Sequence, residues 1–496
     1  MSHGDGQAAL ASGAIGRADP RTDQGADGAT PVASGLSLPL LAFANLIIGL
    51  DINIVFVALP EIGSGLNFSA QTLQWVVSAY TVFCGGFLLL GGRAADLVGQ
   101  RRMFVLALAL YAVSSLAGGL ATSPAVMIGA RAVQGIGGAL LFPATLSLIN
   151  RLFAEGPARN RAVAVWGGAG ASGLTLGSLL GGFLTSAFGW SAVFYVNVPL
   201  AGLIAFAAFA VIPRDQPRHE KRSFDIPGAL TVTAGVTLLV FVLVEGPELG
   251  WRAPAILASA ALSALLLTAF AVIESRAHDP LMPLRLFRNR SLAAGMTITF
   301  IYMGTFGALP YFLTVLFQKV HGFSAYQTGL AFLVPSLAIA AGTQIGERLA
   351  TRASVRATLL AGMVVGALGT AAMVAGGGLD SGYAVIVPGL IVSGIGQGMT
   401  WTAMWIAAAS GVAHDEQGVA SGMASTTLNI GNAIGLAILV GLANTGSHGL
   451  SGEALRAAMA GGVRLAFWLA AAGILLGLLV ALTLPKGRPG SAGAGG

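Results

Sequence analysis

Residues 45–62 read "NLIIGLDINIVFVALPEI", an apolar run whose middle holds the carboxyl group of Asp51 and the amide group of Asn53. With its flanking residues the run is long enough to cross a membrane, which takes ~20 residues of helix. A carboxylate at the centre of such a helix costs about 2.5–3.5 kcal/mol on insertion scales, so charged residues there are rare and mark function. The stretch therefore predicts a membrane-spanning helix that carries a functional site.

The composition of the whole chain is that of a helical membrane protein. Of 496 residues, 55% are hydrophobic and only 9% are charged, whereas a soluble domain has ~25% charged residues. The 71 glycines fit membrane helices that pack closely through small residues. The chain has one cysteine, Cys84, which excludes an intramolecular disulfide.

Fourteen apolar segments of spanning length lie between residues 37 and 484. The short loops divide the 26 Lys and Arg residues unequally, with 21 on the side of both termini, one (Arg131) inside a segment, and four on the other side (Arg252, Lys319, Arg456 and Arg464). Basic residues concentrate in cytoplasmic loops. The sequence thus predicts a multi-pass protein of the cell membrane with both termini cytoplasmic. Such scattered basic residues argue against nucleic-acid binding.

Segments in the first and second parts of the chain are similar to each other. "QGIGGALLFPATLSLI" (134–149) shares its glycine placement with "SGIGQGMTWTAMWIAA" (393–408), and residues 160–182 are similar to residues 418–441. Repeats of this kind predict two halves around a central site. We expect a disordered cytoplasmic tail over 1–35, a six-helix half over 36–213, two extra helices with cytoplasmic linkers over 214–291, a second six-helix half over 292–485, and a disordered tail over 486–496.

Asp51 and Arg131 are predicted to lie at the same depth in the membrane. At 1.5 Å per residue, Asp51 is roughly 22 Å from the inner end of its helix, and Arg131 is ~21 Å from that side of a ~30 Å core. Burial disfavours the ionised form of a carboxyl group and a nearby arginine favours it. Opening and closing a cavity would change both effects, so Asp51 would act as a proton switch. The alternative is a permanent packing pair.

Several stretches together resemble the major facilitator superfamily, in its fourteen-span drug:proton antiporter branch. They are "LDINIVFVALP" (50–60), "GRAADLVGQRR" (92–102), "RAVQGIGGAL" (131–140), "GLTLGSLLGG" (173–182) and "GWSAVFYVNVP" (189–199). The resemblance covers residues 37–484. It implies an all-α integral membrane protein with the major facilitator fold, and a bacterial exporter of drugs or antibiotics.

The resemblance also implies roles for two of these motifs. The loop motif would form a cytoplasmic gate that consists of Gly92, Asp96, Gly99, Arg101 and Arg102, with a lesser part for Arg93. The alternative is that these basic residues only follow the charge asymmetry of the loops. The fifth-helix motif, with Gly173, Gly177, Gly181 and Gly182, implies antiport. Ser178 stands where the family usually has proline, which puts a proline-dependent bend in doubt.

The substrate cavity is predicted from polar and aromatic residues at membrane depth. The candidates are Asn53, Gln134, Tyr302, Phe306, Tyr311, Met399, Trp401 and Trp405. Aromatic rings and thioethers suit apolar guests, but any one of these residues could equally serve packing. For Asn53 the alternative is a hydrogen bond between helices. Glu245 is a weaker candidate for a second proton site, since it ends its segment near the outer surface.

The sequence gives no sign of an enzyme. It has no phosphate-binding loop with Lys-Ser/Thr and no His/Cys cluster with metal spacing. We expect no cofactor, and a proton gradient as the energy source of a monomeric transporter. The leading interpretation is proton-coupled efflux of amphipathic drugs or antibiotics. The alternatives are proton-coupled uptake or export of a metabolite, and a non-transporting membrane receptor.

Overall fold

The computed structural model describes residues 35–484, apart from residues 155, 216–224, 278–279, 414–415 and 448. The side chains of residues 96, 97 and 160 are also outside the description. The predicted tails thus lie almost wholly outside the described residues, and nothing tests the predicted domain boundaries.

Fourteen helices among the described residues are long and apolar enough to cross a membrane. They are α1 (Ser37–Leu66), α2 (Trp75–Val98), α3 (Gln100–Gly119), α4 (Pro124–Leu152), α5 (Pro157–Phe188), α6 (Ala192–Val211), α7 (Ile226–Leu249), α8 (Pro254–Arg276), α9 (Arg290–Val320), α10 (Ala325–Arg352), α11 (Val355–Gly377), α12 (Tyr383–Ala409), α13 (Gln417–Ala443) and α14 (Gly452–Leu482). We call the side on which α1 begins and α14 ends the terminal side, and the opposite side the far side.

Several helices begin where a side chain satisfies the free N–H groups of the first turn. Asn289 Oδ1 accepts hydrogen bonds from the N–H groups of Ser291 and Leu292, and Ser324 forms a capping box with Gln327 at the start of α10. The helices α4, α5, α7 and α8 have proline in the first turn, where its missing N–H costs nothing. Local sequence therefore sets where these helices start.

The six helices of the first part and the last six pair in the same way. In α1–α6 the first helix packs on the fifth, the second and third pack on the fourth, and the third packs on the sixth. In α9–α14 the corresponding helices make these same contacts. The similarity of the two sequence segments is thus accompanied by a repeated packing pattern.

Glycines bring α1 and α5 into backbone contact. A Cβ atom added to Gly173 would lie 2.3 Å from the carbonyl oxygen of Leu46, and one added to Gly177 would lie 2.3 Å from that of Leu50. Since real Cβ atoms do not approach so closely, a side chain at either position would push the helices apart. The glycines therefore hold α5 directly against the helix that carries Asp51.

The hairpin α7–α8 lies at the seam between the two sets of six helices. Helix α7 packs on α2 of the first set and on α13 of the second, whereas α8 packs mainly on α7. The hydroxyl group of Ser263 on α8 donates to the carbonyl oxygen of Gly235 on α7 at 2.7 Å. Through α7, the two extra helices contact both sets.

The two sets of helices are held together at the far side. The side chain of Gln318 donates to the carbonyl oxygen of Val57 at 2.8 Å, and the N–H of Tyr326 donates to the hydroxyl of Ser186 at 3.0 Å. Towards the terminal side, Cβ atoms added at Gly167 and Gly168 of α5 would have no neighbouring atom within 4 Å. The arrangement separates α5 from the second set towards the terminal side.

Candidate functional site

Asp51 is the centre of a buried polar cluster between α1, α3, α4 and α6. Arg131 Nη1 donates to Asp51 Oδ2 at 2.8 Å. Gln134 Nε2 donates to Asp51 Oδ1 at 2.9 Å, and Asn197 Nδ2 donates to the same oxygen at 2.8 Å. Asp51 is 0% and Arg131 2% exposed. Three donors on two other helices therefore replace the water that the carboxylate loses on burial.

The guanidinium group of Arg131 is equally well surrounded. Its Nε donates to the carbonyl oxygen of Val76 at 2.9 Å, and its Nη1 also donates to Gln134 Oε1 at 2.6 Å. The ring of Tyr80 lies beneath it, 4.5 Å from Cζ to the ring centroid, in the geometry of a cation–π contact. The pair predicted from depth is thus brought into direct contact, within a network that joins α1, α2 and α4.

Gln134 lies in this cluster and not on an open cavity wall, where the sequence placed it. The side chain is fully buried, and besides Asp51 its Nε2 donates to Ser115 Oγ at 2.9 Å. The physical reason is helical spacing, because residues three apart lie on the same face. Gln134 therefore points to the same side of α4 as Arg131.

Sequence reasoning missed Asn197, Ser115 and Tyr80. Asn197 was quoted only as part of a motif, although the depth argument applies to it as well. It lies five residues into α6 from the far side, and Arg131 lies seven residues into α4, so the two differ by only about 3 Å in depth. The signal for Ser115 and Tyr80 is weaker, since hydroxyl groups are frequent in these helices.

Asn53 makes the hydrogen bond between helices that was the alternative to substrate contact. Its Nδ2 donates to the carbonyl oxygen of Leu174 on α5 at 2.8 Å. Gly181 continues the glycine contact with α1 at Ile54, whereas Gly182 faces the carbonyl oxygen of Ala325 on α10. The glycine motif thus packs α5 on both α1 and the start of α10.

Four of the predicted aromatic residues form a continuous series in the second set. The ring centroid of Tyr302 is 5.2 Å from that of Phe306 and 5.6 Å from that of Trp401, and the rings of Trp401 and Trp405 are 5.8 Å apart. Trp401 is 38% exposed, so it is the open member of the series. Met399 is buried against Gly346 and Gly362.

Two further candidates lie at the far side. The hydroxyl group of Tyr311 donates to the carbonyl oxygen of Ala70 at 3.3 Å, and so joins the two sets of helices there. Glu245 is partly buried near the far end of α7. Neither residue belongs to the cluster around Asp51 or to the aromatic series.

The loop motif meets an acidic residue that the sequence analysis did not single out. Gly99 has φ +106°, a conformation that favours glycine. It begins a helix whose N–H groups, at Arg101 and Arg102, donate to the carboxylate of Asp215 at 3.0 and 3.1 Å. Arg151 Nη1 pairs with the same carboxylate at 3.0 Å. The first acidic residue of the basic segment after α6 was the available signal.

Other members of the loop motif extend these contacts. Arg101 Nη2 donates to the carbonyl oxygen of Phe209 at the end of α6, at 2.7 Å. Arg93 donates to the carbonyl oxygen of Pro280, in the segment that follows α8. Gly92 is open enough to accept a Cβ atom, with its nearest neighbour 3.9 Å away at Pro143. The predicted role of the Asp96 side chain lies outside the described residues.

This architecture, with buried charges amid fourteen spanning helices, is that of a membrane transporter and not of an enzyme. The Major Facilitator Superfamily family model matches residues 41–436, and the chain belongs to that superfamily. Solved structures of transporters share its fold. The nucleoside transporter NupG superposes with a TM-score of 0.63 at 13% identity, covering 90% of this chain and 98% of that one. The human organic anion transporter TETRAN gives 0.60 at 18% identity, covering 90% and 98%.

Curated relatives are bacterial proteins of antibiotic export and resistance. The cephamycin export protein CmcT of Amycolatopsis lactamdurans is 37% identical over 84% of this chain and 86% of its own length. The puromycin resistance protein of Streptomyces alboniger is 35% identical over 81% and 80%. The tetracenomycin C resistance and export protein of Streptomyces glaucescens is 31% identical over 82% and 76%.

Proposed function

We propose that this protein exports amphipathic drugs or antibiotics across the cytoplasmic membrane in exchange for protons. The observation that carries the proposal is the fully buried Asp51, which accepts hydrogen bonds from Arg131, Gln134 and Asn197. Hydrogen-bond donors and a neighbouring cation favour the charged form of a carboxyl group in general. Taking up a proton would require it to lose contact with the guanidinium group, so protonation and helix position are linked.

The direction of exchange follows from the side of the membrane to which this helix arrangement is open. The two sets of helices are joined at the far side, whereas α5 is separated from the second set towards the terminal side, which is the predicted cytoplasmic side. In this arrangement Asp51 has released its proton and cargo can enter from the cytoplasm. In the opposite arrangement, α1 and α4 would shift relative to each other and expose Asp51 to protons from outside. The cycle then moves protons inwards as cargo moves outwards.

The cargo surface is assigned to the other set of helices. The ring series of Phe306, Tyr302, Trp401 and Trp405 gives an apolar and polarisable wall, with Trp401 as its exposed member. Since protons and cargo bind different walls, free energy passes between them only through the change in helix arrangement. The names of the relatives support an antibiotic as the cargo and export as the direction.

The experiment uses everted membrane vesicles, in which the cytoplasmic face points outwards. With an acidic lumen, puromycin or tetracenomycin C added outside should accumulate inside, and an uncoupler should abolish the accumulation. Asp51→Asn should reach the membrane and accumulate no drug. Thr305→Val, at a neutral position of the second set, is the matched control and should accumulate drug as the wild type does.

A second measurement tests the exchange without a membrane. Drug added to the detergent-solubilised protein in weak buffer should release protons from the wild type but none from Asp51→Asn. Accumulation that survives the uncoupler, or that persists in Asp51→Asn, would contradict proton-coupled export. Drug that leaves the vesicles together with protons would favour the uptake interpretation instead.

A further inference from the structure

A second pair of acidic residues is buried at the terminal side of the α7–α8 hairpin. Asp225 precedes α7 and is 8% exposed, and Glu274 lies in the last turn of α8 and is 3% exposed. Their carboxyl groups lie within hydrogen-bonding distance of each other. Neither residue belongs to the Asp51 cluster or to the loop motif.

Each carboxyl group uses one oxygen on a backbone N–H and leaves the other without a donor. Asp225 Oδ1 accepts from the N–H of Gly228 at 2.9 Å, and Glu274 Oε2 accepts from the N–H of Met282 at 2.9 Å. Among the described residues, Asp225 Oδ2 and Glu274 Oε1 have no hydrogen-bond donor. Two buried carboxyl groups in contact, each with an oxygen that has no donor, are strongly unfavourable when both groups are ionised.

Among the described residues, no charged group supplies the missing donor. Arg93 on α2 donates to the carbonyl oxygen of Pro280, and Arg276 on α8 is exposed. Helix α13, which packs on α7, has no charged residue between Gln417 and Ala443. Within the described part of the chain no third His, Cys, Asp or Glu completes a metal-binding group, and hard cations take six or more oxygen ligands.

We propose that Asp225 and Glu274 share one bound proton, which forms a second proton-binding site at the base of the α7–α8 hairpin. The proton lies between Asp225 Oδ2 and Glu274 Oε1, so one group donates and the other accepts. This one proton satisfies both unpartnered oxygens and removes one of the two buried charges. The site is independent of Asp51 and goes beyond the export cycle.

The shared proton fixes a segment that touches both sets of helices. Glu274 accepts from the backbone N–H of Met282, and Met282 belongs to an apolar cluster with Leu286 and Met296 against which Leu89 of α2 packs. Two residues earlier in the chain, Pro280 accepts the hydrogen bond from Arg93 of the loop motif. Loss of the proton would leave two carboxylates in contact and loosen this segment. The pair therefore links the pH at the terminal side to the position of the linker between α8 and α9.

Infrared difference spectroscopy on the purified full chain tests the proposal. The wild type at neutral pH should show the carbonyl band of a protonated carboxylic acid that both Glu274→Gln and Asp225→Asn remove. In each variant, an amide N–H replaces the shared proton and the remaining acid ionises. Glu248→Gln, an exposed residue at the other end of α7, is the control and should leave the band unchanged.

The pH dependence of stability provides a second readout. The unfolded chain ionises both groups above about pH 4, whereas the folded pair keeps one proton. The contribution of the pair to stability therefore falls as pH rises. The unfolding equilibrium constant increases by up to about tenfold per pH unit. Glu274→Gln should remove this contribution. A band that survives in both variants, or that only one variant removes, would overturn the shared proton, as would an unchanged pH dependence in Glu274→Gln.

Discussion

The two sets of six helices cross their first and fifth helices in the same way, but only the first set carries charge there. Gly173 and Gly177 of α5 contact Leu46 and Leu50 of α1, and in the second set Gly431 and Gly435 of α13 contact the backbone of Phe300 and Gly304 of α9. The residue after Leu50 is Asp51, and the residue after Gly304 is Thr305. A carboxylate in one set thus corresponds to a hydroxyl in the other.

The neighbours of Asp51 differ between the two sets in the same manner. The similarity of residues 134–149 to residues 393–408 places Leu390 at the position of Arg131 and Ser393 at that of Gln134. Ser393 bonds to Thr370 at 2.9 Å, as Gln134 bonds to Ser115. The packing of this crossing therefore does not require charges. Because only the first set carries these charges, we infer that they have a function that the second set does not share.

The largest effect is expected for Arg131→Leu, which gives the first set the residue that the second set has at the corresponding position, Leu390. Arg131→Leu leaves the Asp51 carboxylate buried without its cation, and breaking a buried pair costs about 3–5 kcal/mol. Asp51→Asn/Arg131→Leu, which removes both charges, should regain most of this stability but not proton-coupled export. Unfolding in mixed micelles measures the first quantity, and vesicle transport measures the second. Wild-type stability in Arg131→Leu would mean that the pair is not buried in the membrane.

The glycine contacts should matter equally for stability in the two sets. A Cβ atom at Gly177 would lie 2.3 Å from the Leu50 carbonyl oxygen, and one at Gly435 would lie 2.2 Å from Gly304 Cα. Overpacking of this kind costs about 1–3 kcal/mol, so Gly177→Ala and Gly435→Ala should lower the melting temperature alike. Only Gly177→Ala should also reduce the number of protons exchanged per drug. Equal loss of coupling in both variants would contradict the division of roles.

The aromatic series lies in the second set of helices, so a substitution in it should affect cargo binding more than proton binding. Trp401 corresponds to Phe142 in the first set, which packs against Trp166 at 5.2 Å. Trp401→Leu should weaken puromycin binding about three- to tenfold, or about 0.7–1.4 kcal/mol. Drug-free proton binding should not change. Phe142→Leu is the control, and an equal loss of puromycin affinity in it would remove the assignment of the ring series to cargo.

The smallest effect concerns how each set begins its third helix. In the first set the distant Asp215 accepts from the N–H groups of Arg101 and Arg102, whereas in the second Ser354 caps its own helix at Ala357 N, at 3.1 Å. Loss of such a cap costs about 1 kcal/mol. Ser354→Ala should therefore destabilise by about this amount, and Asp215→Asn, which keeps an acceptor oxygen but loses the charge that pairs with Arg151, should have a comparable effect at low salt. Added salt should reduce the difference in melting temperature from the wild type only for Asp215→Asn. Melting curves at two salt concentrations measure this, and a reduction for Ser354→Ala alone would contradict the prediction.

The sequence determined the spanning helices and the depth of the charged pair. Fourteen apolar segments were predicted and fourteen spanning helices are described, because the bilayer imposes length and apolarity on each helix separately. Depth could be counted at 1.5 Å per residue, which placed Asp51 and Arg131 at one level. The glycine spacing of the fifth helix also identified a face for close packing, although not its partner.

Only the tertiary structure decided which residues meet at that depth. Gln134 and Asn197 both donate to Asp51, yet the sequence assigned Gln134 to the cavity and gave Asn197 no role. Likewise, the contact of Asp225 with Glu274 joins residues on either side of a hairpin. Depth along a helix is a one-dimensional quantity that sequence position supplies. The rotation of each helix about its axis depends on packing against all its neighbours, and that rotation decides which side chains come together.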